Sequence, residues 1–288
     1  MTSQPAGEIR DVSDTAIWVA QYRAQETARS DALFRDPLAG LLVGERGPAI
    51  ARSMGTMGRY TGWTVVLRTL IIDAYIRQAI KDGVDAVLNL GAGLDTRPYR
   101  LELPPSLLWV EADYAHLIDY KQAKLGEHTP RCRLQRVGVD LADATARRDF
   151  LAGVAPDARR MLVLTEGVVP YLTPAQVADL AADLRSRSCV SGWILEYFSA
   201  RTYRYLKHRA SSGLMRKAPF QFFPPDWDDF FQQCGWRRDR IEYFTDVGEK
   251  FHRDMPLPWW ARALMRWSNE AARQQMRTSM GYMLLTPS

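Results

Sequence analysis

Apolar residues fall along this chain in short solid runs separated by longer stretches in which they recur at helical spacing. The short runs lie at 86–90, 106–110, 134–139, 161–164, 193–195, 241–244 and 282–285. Runs of this length, bounded by Gly, Pro or charge, read as strands buried on both faces. The clearest helix is Trp63 to Lys81, where Val66, Leu70, Ile71, Ala74, Tyr75 and Ile80 recur near helical spacing. Ser13-Asp14-Thr15 offers caps for a helix over Ala16 to Arg29. Further helices are predicted over Tyr114 to Leu125, Asp143 to Leu151, Asp228 to Gln233, and from Pro258 to about Met276. Pro174 opens another, up to Arg187, with Thr173 as its N-cap. Strands alternating with helices predict an α/β chain built on a parallel sheet.

Two stretches break this alternation. Gly40, Gly44, Gly47, Gly55, Gly58 and Gly62 punctuate the segment before the long helix, which predicts a mobile cap there. Phe198 to Phe223 is aromatic and basic and reads as an inserted cap over the site, after which Pro224-Pro225-Asp226 restarts the fold. Without an internal repeat or a low-complexity linker, residues 1–288 are predicted to form one domain, with helical caps over about 13–80 and 198–223.

The first strand carries the most chemistry. Ala86 to Leu90 ends in Gly91-Ala92-Gly93, a turn that lets the backbone bend sharply and a ligand come close. The next strand ends in Glu111-Ala112-Asp113, roughly 20 residues downstream, where an acid can accept both hydroxyls of a ribose. Thr96 stands where a dinucleotide fingerprint needs its third glycine, which disfavours a nicotinamide dehydrogenase, and no Walker Lys-Ser/Thr follows the loop. A ribose-reading acid without a phosphate grip suits S-adenosylmethionine, which carries adenosine and no phosphate.

Composition narrows the partners. The chain has 288 residues, 47% of them hydrophobic, enough to bury a large core unaided. Its net charge of +5 is spread through the sequence, which fits attraction to acidic small molecules better than nucleic-acid binding. Cys132, Cys189 and Cys234 lie far apart, with no zinc spacing and no redox pair, so no metal and a reducing, cytoplasmic setting are expected. The first ten residues lack the apolar core of a signal peptide, and no run reaches a membrane span.

The strings Asn89-Leu90-Gly91-Ala92-Gly93-Leu94-Asp95-Thr96-Arg97, Glu111-Ala112-Asp113-Tyr114 and Leu164-Thr165-Glu166-Gly167-Val168-Val169-Pro170-Tyr171-Leu172 resemble the leucine carboxyl methyltransferase family. The likeness runs from about residue 13 onward and is closest to the bacterial branch of tetracenomycin-type polyketide O-methyltransferases. It implies a Rossmann-like class I methyltransferase fold: a mostly parallel seven-stranded sheet, an antiparallel last strand, and a helical cap. It also implies bound S-adenosylmethionine and methyl transfer to oxygen.

Carried onto matching positions, the resemblance implies cofactor contacts at Arg68, Gly91, Ala92, Gly93, Asp113, Asp140, Leu141 and Glu166. Arg68 would pair with the methionyl carboxylate, or it is an exposed helix arginine. Asp140-Leu141 would meet the adenine, or Asp140 is the N-cap of the next helix. Glu166 would sit near the methionyl amine, or it is a buried acid tied to backbone amides. Glu166 and Tyr171 are positioning candidates; Tyr197, Arg201, Tyr203 and Arg204 are substrate candidates, or their arginines form a solvated helix face.

None of the four histidines, His116, His128, His208 and His252, lies in a strand-end motif, and His208 falls in the cap. With no evident base, a carboxylate acceptor of a small molecule or peptide, already ionised at pH 7, is the expected substrate and a methyl ester the expected product. A phenol or other hydroxyl of a secondary metabolite is the alternative. A non-catalytic S-adenosylmethionine-binding regulatory module is the reading from another class.

Overall fold

The computed structural model describes residues 12–44, 46–53, 55–203, 219–261 and 267–288. Seven strands form one sheet: β1 (Ala86–Leu90), β2 (Leu108–Asp113), β3 (Arg133–Gly138), β4 (Met161–Thr165), β5 (Val190–Phe198), β6 (Trp236–Tyr243) and β7 (Met280–Pro287). Their spatial order is β3-β2-β1-β4-β5-β7-β6. The first five pair in parallel, and β7 runs antiparallel between β5 and β6. The chain order reverses direction at β1 and β4, and a doubly wound sheet opens its ligand crevice outside the carboxyl ends of such strands.

Burial explains the strand sequences. β1 and β4 are buried at every position, whereas the edge strands β3 and β6 alternate or face solvent. Successive residues feed two cores. Leu88, Leu90, Val163, Trp193 and Leu195 pack under α7 (Ala144–Gly153), α8 (Pro174–Arg185) and α9 (Trp227–Gln233). Val87, Trp109, Leu162, Leu164, Ile194 and Tyr282 pack under α4 (Gly55–Lys81) and α10 (Phe244–Lys250). Thr173 and Gln176 close a capping box at the start of α8.

The glycine-rich stretch carries regular structure. Among the described residues it forms α2 (Pro37–Val43), α3 (Arg46–Ser53) and the first turns of α4, which runs unbroken from Gly55. Gly44 ends α2 in left-handed backbone (φ 53°), whereas Gly47 and Gly62 permit close helix packing. A Cβ on Gly62 would meet the Tyr22 ring at 2.9 Å, and one on Gly47 would meet Val43 Cβ at 2.6 Å. These helices pack against α1 (Val12–Thr27), whose Ala20 shares a small core with Leu42, Val43, Leu94 and Leu117.

Two boundaries also shift. β2 continues through Glu111-Ala112-Asp113, because those residues pair with β3 as far as Asp113–Gly138. The helix expected from Pro258 to Met276 is interrupted. Asn269 instead caps a short α11 (Glu270–Arg277) by accepting from the N–H of Ala272. Residues 262–266 lie outside the described ones, as does most of the expected cap insertion, 204–218. No helix among the described residues is long and apolar enough to cross a membrane.

Gly281 is locked where β6, β7 and β5 meet, since an added Cβ would stand 2.3 Å from the Glu242 carbonyl oxygen. Backbone cannot yield as a side-chain tip does. Gly281→Ala is therefore expected to cost about 1–3 kcal/mol, read as a melting point lower by roughly 3–10 °C in calorimetry.

Candidate functional site

The turn after β1 uses glycine twice in left-handed backbone, at Gly91 (φ 69°) and Gly93 (φ 47°). Gly91 is also closed by packing: a Cβ there would come 2.3 Å from Val168 Cγ2, in the segment that leaves β4. Gly93 donates its N–H to Asp113 Oδ2 at 2.6 Å, and Tyr114 donates its N–H to Oδ1 at 2.7 Å. Burial raises the Asp113 carboxyl above the usual range, and these two N–H groups oppose the rise. Glu111 is committed elsewhere. It is buried and takes Lys121 Nζ at 2.8 Å and Arg136 Nε at 2.9 Å. Of the two acids ending β2, Asp113 is the one joined to the glycine loop.

Behind the loop lies a buried ion network. Arg97 donates from Nε to Asp73 Oδ1 at 2.7 Å, and from Nη1 to Asp95 Oδ2 at 3.0 Å and Glu166 Oε2 at 2.7 Å. Arg100 grips Asp73 through both terminal nitrogens, at 2.6 and 2.8 Å. Asn89, inside β1, donates to Asp95 at 2.8 Å. The string Asp95-Thr96-Arg97 thus fastens the loop to α4 through Asp73 and to the end of β4 through Glu166. Arg68, on α4, is not an exposed helix arginine; its Nε stands 2.8 Å from Glu166 Oε1. Glu166 is held below its usual range by Arg97 and Arg68, which together outweigh its burial. It is tied to two guanidinium groups rather than to backbone amides.

Beside Glu166 stands a second acid in the opposite condition. Glu196 lies one residue past the β4–β5 pairing, opposite Tyr282 on β7. By strand alternation it shares the face of Ile194, the face covered by α4. Only 3% exposed, it has no hydrogen bond to either carboxylate oxygen among the described residues. Burial pushes its carboxyl up to about 8, helped by Glu166 and opposed by Arg68 and nearby backbone N–H groups. Two neighbouring acids are thus driven apart, the pattern that separates roles in acid–base sites. Glu196, Asp73 and Arg97 had no assigned role in the sequence reading. The usable signal was a charge inside an apolar run, as in Leu70-Ile71-Ile72-Asp73 and Trp193-Ile194-Leu195-Glu196.

The remaining candidates divide. Tyr203 is buried against Phe223 and Trp227, and its hydroxyl has no hydrogen-bond partner among the described residues. Tyr171, in a 3-10 turn after β4, is pushed up to about 12 by burial and feels both Arg68 and Glu196. Ala92 is buried within the loop. Tyr197 turns the other way and packs its ring on Trp227 and Tyr243, because its place on β5 is one residue out of phase with Glu196. Arg201 is exposed and donates to Gln275 on α11, so it is not gathered at the site. Arg204 and His208 lie outside the described residues. Asp140 is not the helix cap; Asp143 is, accepting from the N–H groups of Thr145 and Ala146. Asp140 instead accepts from Ala142 N at 2.9 Å and stays exposed beside the partly buried Leu141. The described residues contain no cluster of acids, Cys and His able to hold a metal ion.

The donor set fits S-adenosylmethionine. The paired Arg68 and Glu166 offer a cation and an anion side by side, the complement of an amino-acid zwitterion. Asp113 offers an acceptor at the loop where a ribose is read. Glu196, next in register to Glu166, has no hydrogen-bond partner for either carboxylate oxygen among the described residues. Fold and site together define an S-adenosylmethionine-dependent methyltransferase. The family described as leucine carboxyl methyltransferase matches residues 16–185, and the chain belongs to it. Curated relatives with the provisional name S-adenosyl-L-methionine-dependent methyltransferase include one from Mycobacterium avium, 33% identical, covering 80% of this chain and 81% of the relative. Another, from Frankia alni, is 32% identical over 88% of this chain and 92% of its own length. Among solved structures, a DUF574 family protein from Streptomyces avermitilis shares the fold, with a TM-score of 0.51 at 15% identity, covering 93% of this chain and 97% of that one.

The raised Glu196 carboxyl predicts a pH effect on the free protein. An acid whose folded value rises from 4.5 to about 8 contributes its full stability below about pH 4.5 and loses it as the pH climbs to about 8. The loss is at most about 1.4 kcal/mol per pH unit within that window. Thermal melts from pH 6 to pH 8.5 should therefore fall more steeply for wild type than for Glu196→Gln. Parallel curves would show that Glu196 is ionised in the free protein.

Proposed function

We propose that this enzyme moves the methyl group of S-adenosylmethionine onto an oxygen of a small molecule or peptide. When bound, the cofactor supplies a methyl group on a positively charged sulfur. The chain supplies its cradle. Asp113 takes the ribose hydroxyls, the backbone of Gly91-Ala92-Gly93 lies against the nucleoside, and Asp140-Leu141 meets the adenine. The Arg68–Glu166 pair opens to take the methionyl carboxylate on Arg68 and the amine on Glu166. Arg97 keeps Glu166 aligned while Arg68 changes partner. The observation that carries this reading is the meeting of the loop, Asp113 and the Arg68–Glu166 pair at the carboxyl ends of β1, β2 and β4. Alignment in such a cradle can lower the barrier by roughly 7–11 kcal/mol.

Two acceptors fit oxygen methylation. A carboxylate, as in the family's own description, needs no base, and a polyketide-like acid or a peptide terminus would give a methyl ester. A hydroxyl needs a proton acceptor, and one observation favours it. Among the described residues the Glu196 carboxyl has no hydrogen-bond partner, whereas Arg68 and Arg97 already have acids as partners. Host extracts incubated with enzyme and deuteriomethyl cofactor, read by mass spectrometry, will reveal the labelled product. Mild alkali cleaves an ester and spares an ether.

The cradle is tested separately by calorimetry with S-adenosylhomocysteine. Asp113→Ala should lose about 1.5–3 kcal/mol of binding, the worth of a charge-assisted hydrogen bond, with the fold intact. Glu111→Ala should chiefly lower the melting point, because it strands Lys121 and Arg136 without their anion. Equal affinity losses in the two folded variants would remove Asp113 from the ribose.

A further inference from the structure

We propose that Glu196 is the proton acceptor of the methyl-transfer step, and that the natural acceptor is therefore a neutral hydroxyl. The inference deepens the methyltransferase reading and rests on it. Its geometric basis is a carboxyl that is buried, without a hydrogen-bond partner among the described residues, and next in register to Glu166, since Thr165 pairs with Leu195. The groups that act on it are Arg68 from α4 and Glu166 from the end of β4, with Tyr282 opposite it on β7; its charge also reaches Tyr171, in the turn after β4, and Tyr203, beyond β5. Among the described residues Arg68 is the cation that acts on it, and Arg68 already serves Glu166.

Charge balance then assigns the proton. Glu196 is a neutral acid in the free enzyme at pH 7, raised to about 8 by burial. A full positive charge brought into a buried site favours the ionised form of a neighbouring acid. Glu196 therefore gives up its proton when the cationic cofactor enters. During transfer the acceptor's O–H bond breaks and its proton passes to Glu196. The O–CH3 bond forms, the S–CH3 bond breaks with its electron pair left on sulfur, and the sulfur becomes neutral. Before the step the site holds one positive sulfur and one carboxylate; after it, a neutral thioether and a neutral acid. The buried charge is zero throughout. A carboxylate acceptor would balance the sulfur by itself, and Glu196 would then stay protonated.

The proton count tests the ionisation of Glu196 without knowledge of the acceptor, and the alkali lability of the product separates a hydroxyl from a carboxylate. Calorimetric titrations at pH 7, in buffers of different ionisation enthalpy, should show S-adenosylmethionine releasing up to about one proton more from wild type than from Glu196→Gln. S-adenosylhomocysteine, which has no sulfonium charge, should show little such difference. Protons exchanged by the cofactor's own amine are common to both proteins and cancel. In wild type alone, difference infrared spectra should lose a protonated-carboxyl band on adding S-adenosylmethionine and keep it with S-adenosylhomocysteine. This second readout stands even if the variant folds poorly. The same proton count and band with both molecules would overturn the proposal, as would an alkali-labile methyl ester as the product. Absence of binding heat for either molecule would instead take down the methyltransferase reading, and this inference with it.

Discussion

The guanidinium of Arg97 is the point on which the site depends. It is 1% exposed and holds carboxylates from three places: α4, the loop after β1, and the end of β4. A charge so buried is tolerable only when its hydrogen-bonding capacity is met, and removing one partner of such a group typically costs 3–5 kcal/mol. The network therefore fixes geometry more than it adds net stability. Asp73 is shared with Arg100, Asp95 with Asn89, and Glu166 with Arg68. A shift of the loop would break several of these contacts at once. Lysine could not replace Arg97, because a single ammonium cannot reproduce the fork that reaches Asp73, Asp95 and Glu166 together.

The same network explains why Glu166 and Glu196 differ so sharply. They stand at the ends of adjacent strands and face the same helix, yet one is met by two arginines and the other by none of its own. The contrast is one of neighbours, not of residue type. A fold that gathers the ends of several strands around one crevice can set an acid to either state by choosing what stands across from it.

Much of this was legible in the sequence. The solid apolar runs gave the strands, because central parallel strands are buried on both sides and carry no alternation to misread. Gly91, Gly93 and Asp113 declared themselves by spacing, since a tight turn and a strand-end acid are local features. What could not be read was long-range pairing. Arg97 and Asp73 are 24 residues apart and meet only because α4 packs against the loop. The glycines at 47 and 62 read only as punctuation of a cap, but they let helices touch, which requires knowing the facing residue. Tyr197 and Glu196 are adjacent in sequence and serve opposite faces of the sheet, so the register of β5 decides which of them belongs to the site. Glu196 was visible as a charge closing an apolar run, yet its lack of a partner is a property of the packed structure alone.

The placement of β7 has a consequence for how this enzyme is made. In chain order β7 is the seventh strand, yet it lies inside the sheet, between β5 and β6. As the nascent chain leaves the ribosome, β5 already carries the apolar run Trp193-Ile194-Leu195 on an edge with no partner, and β6 has no strand to join. Open edges of this kind recruit other chains. Tyr282, which shields Glu196, arrives with the same late strand. Translation thus leaves a window in which the parallel half of the sheet can form while the Glu196 carboxyl is still wet. A holding chaperone would be of most use in that interval, and the interval closes when β7 slides into place.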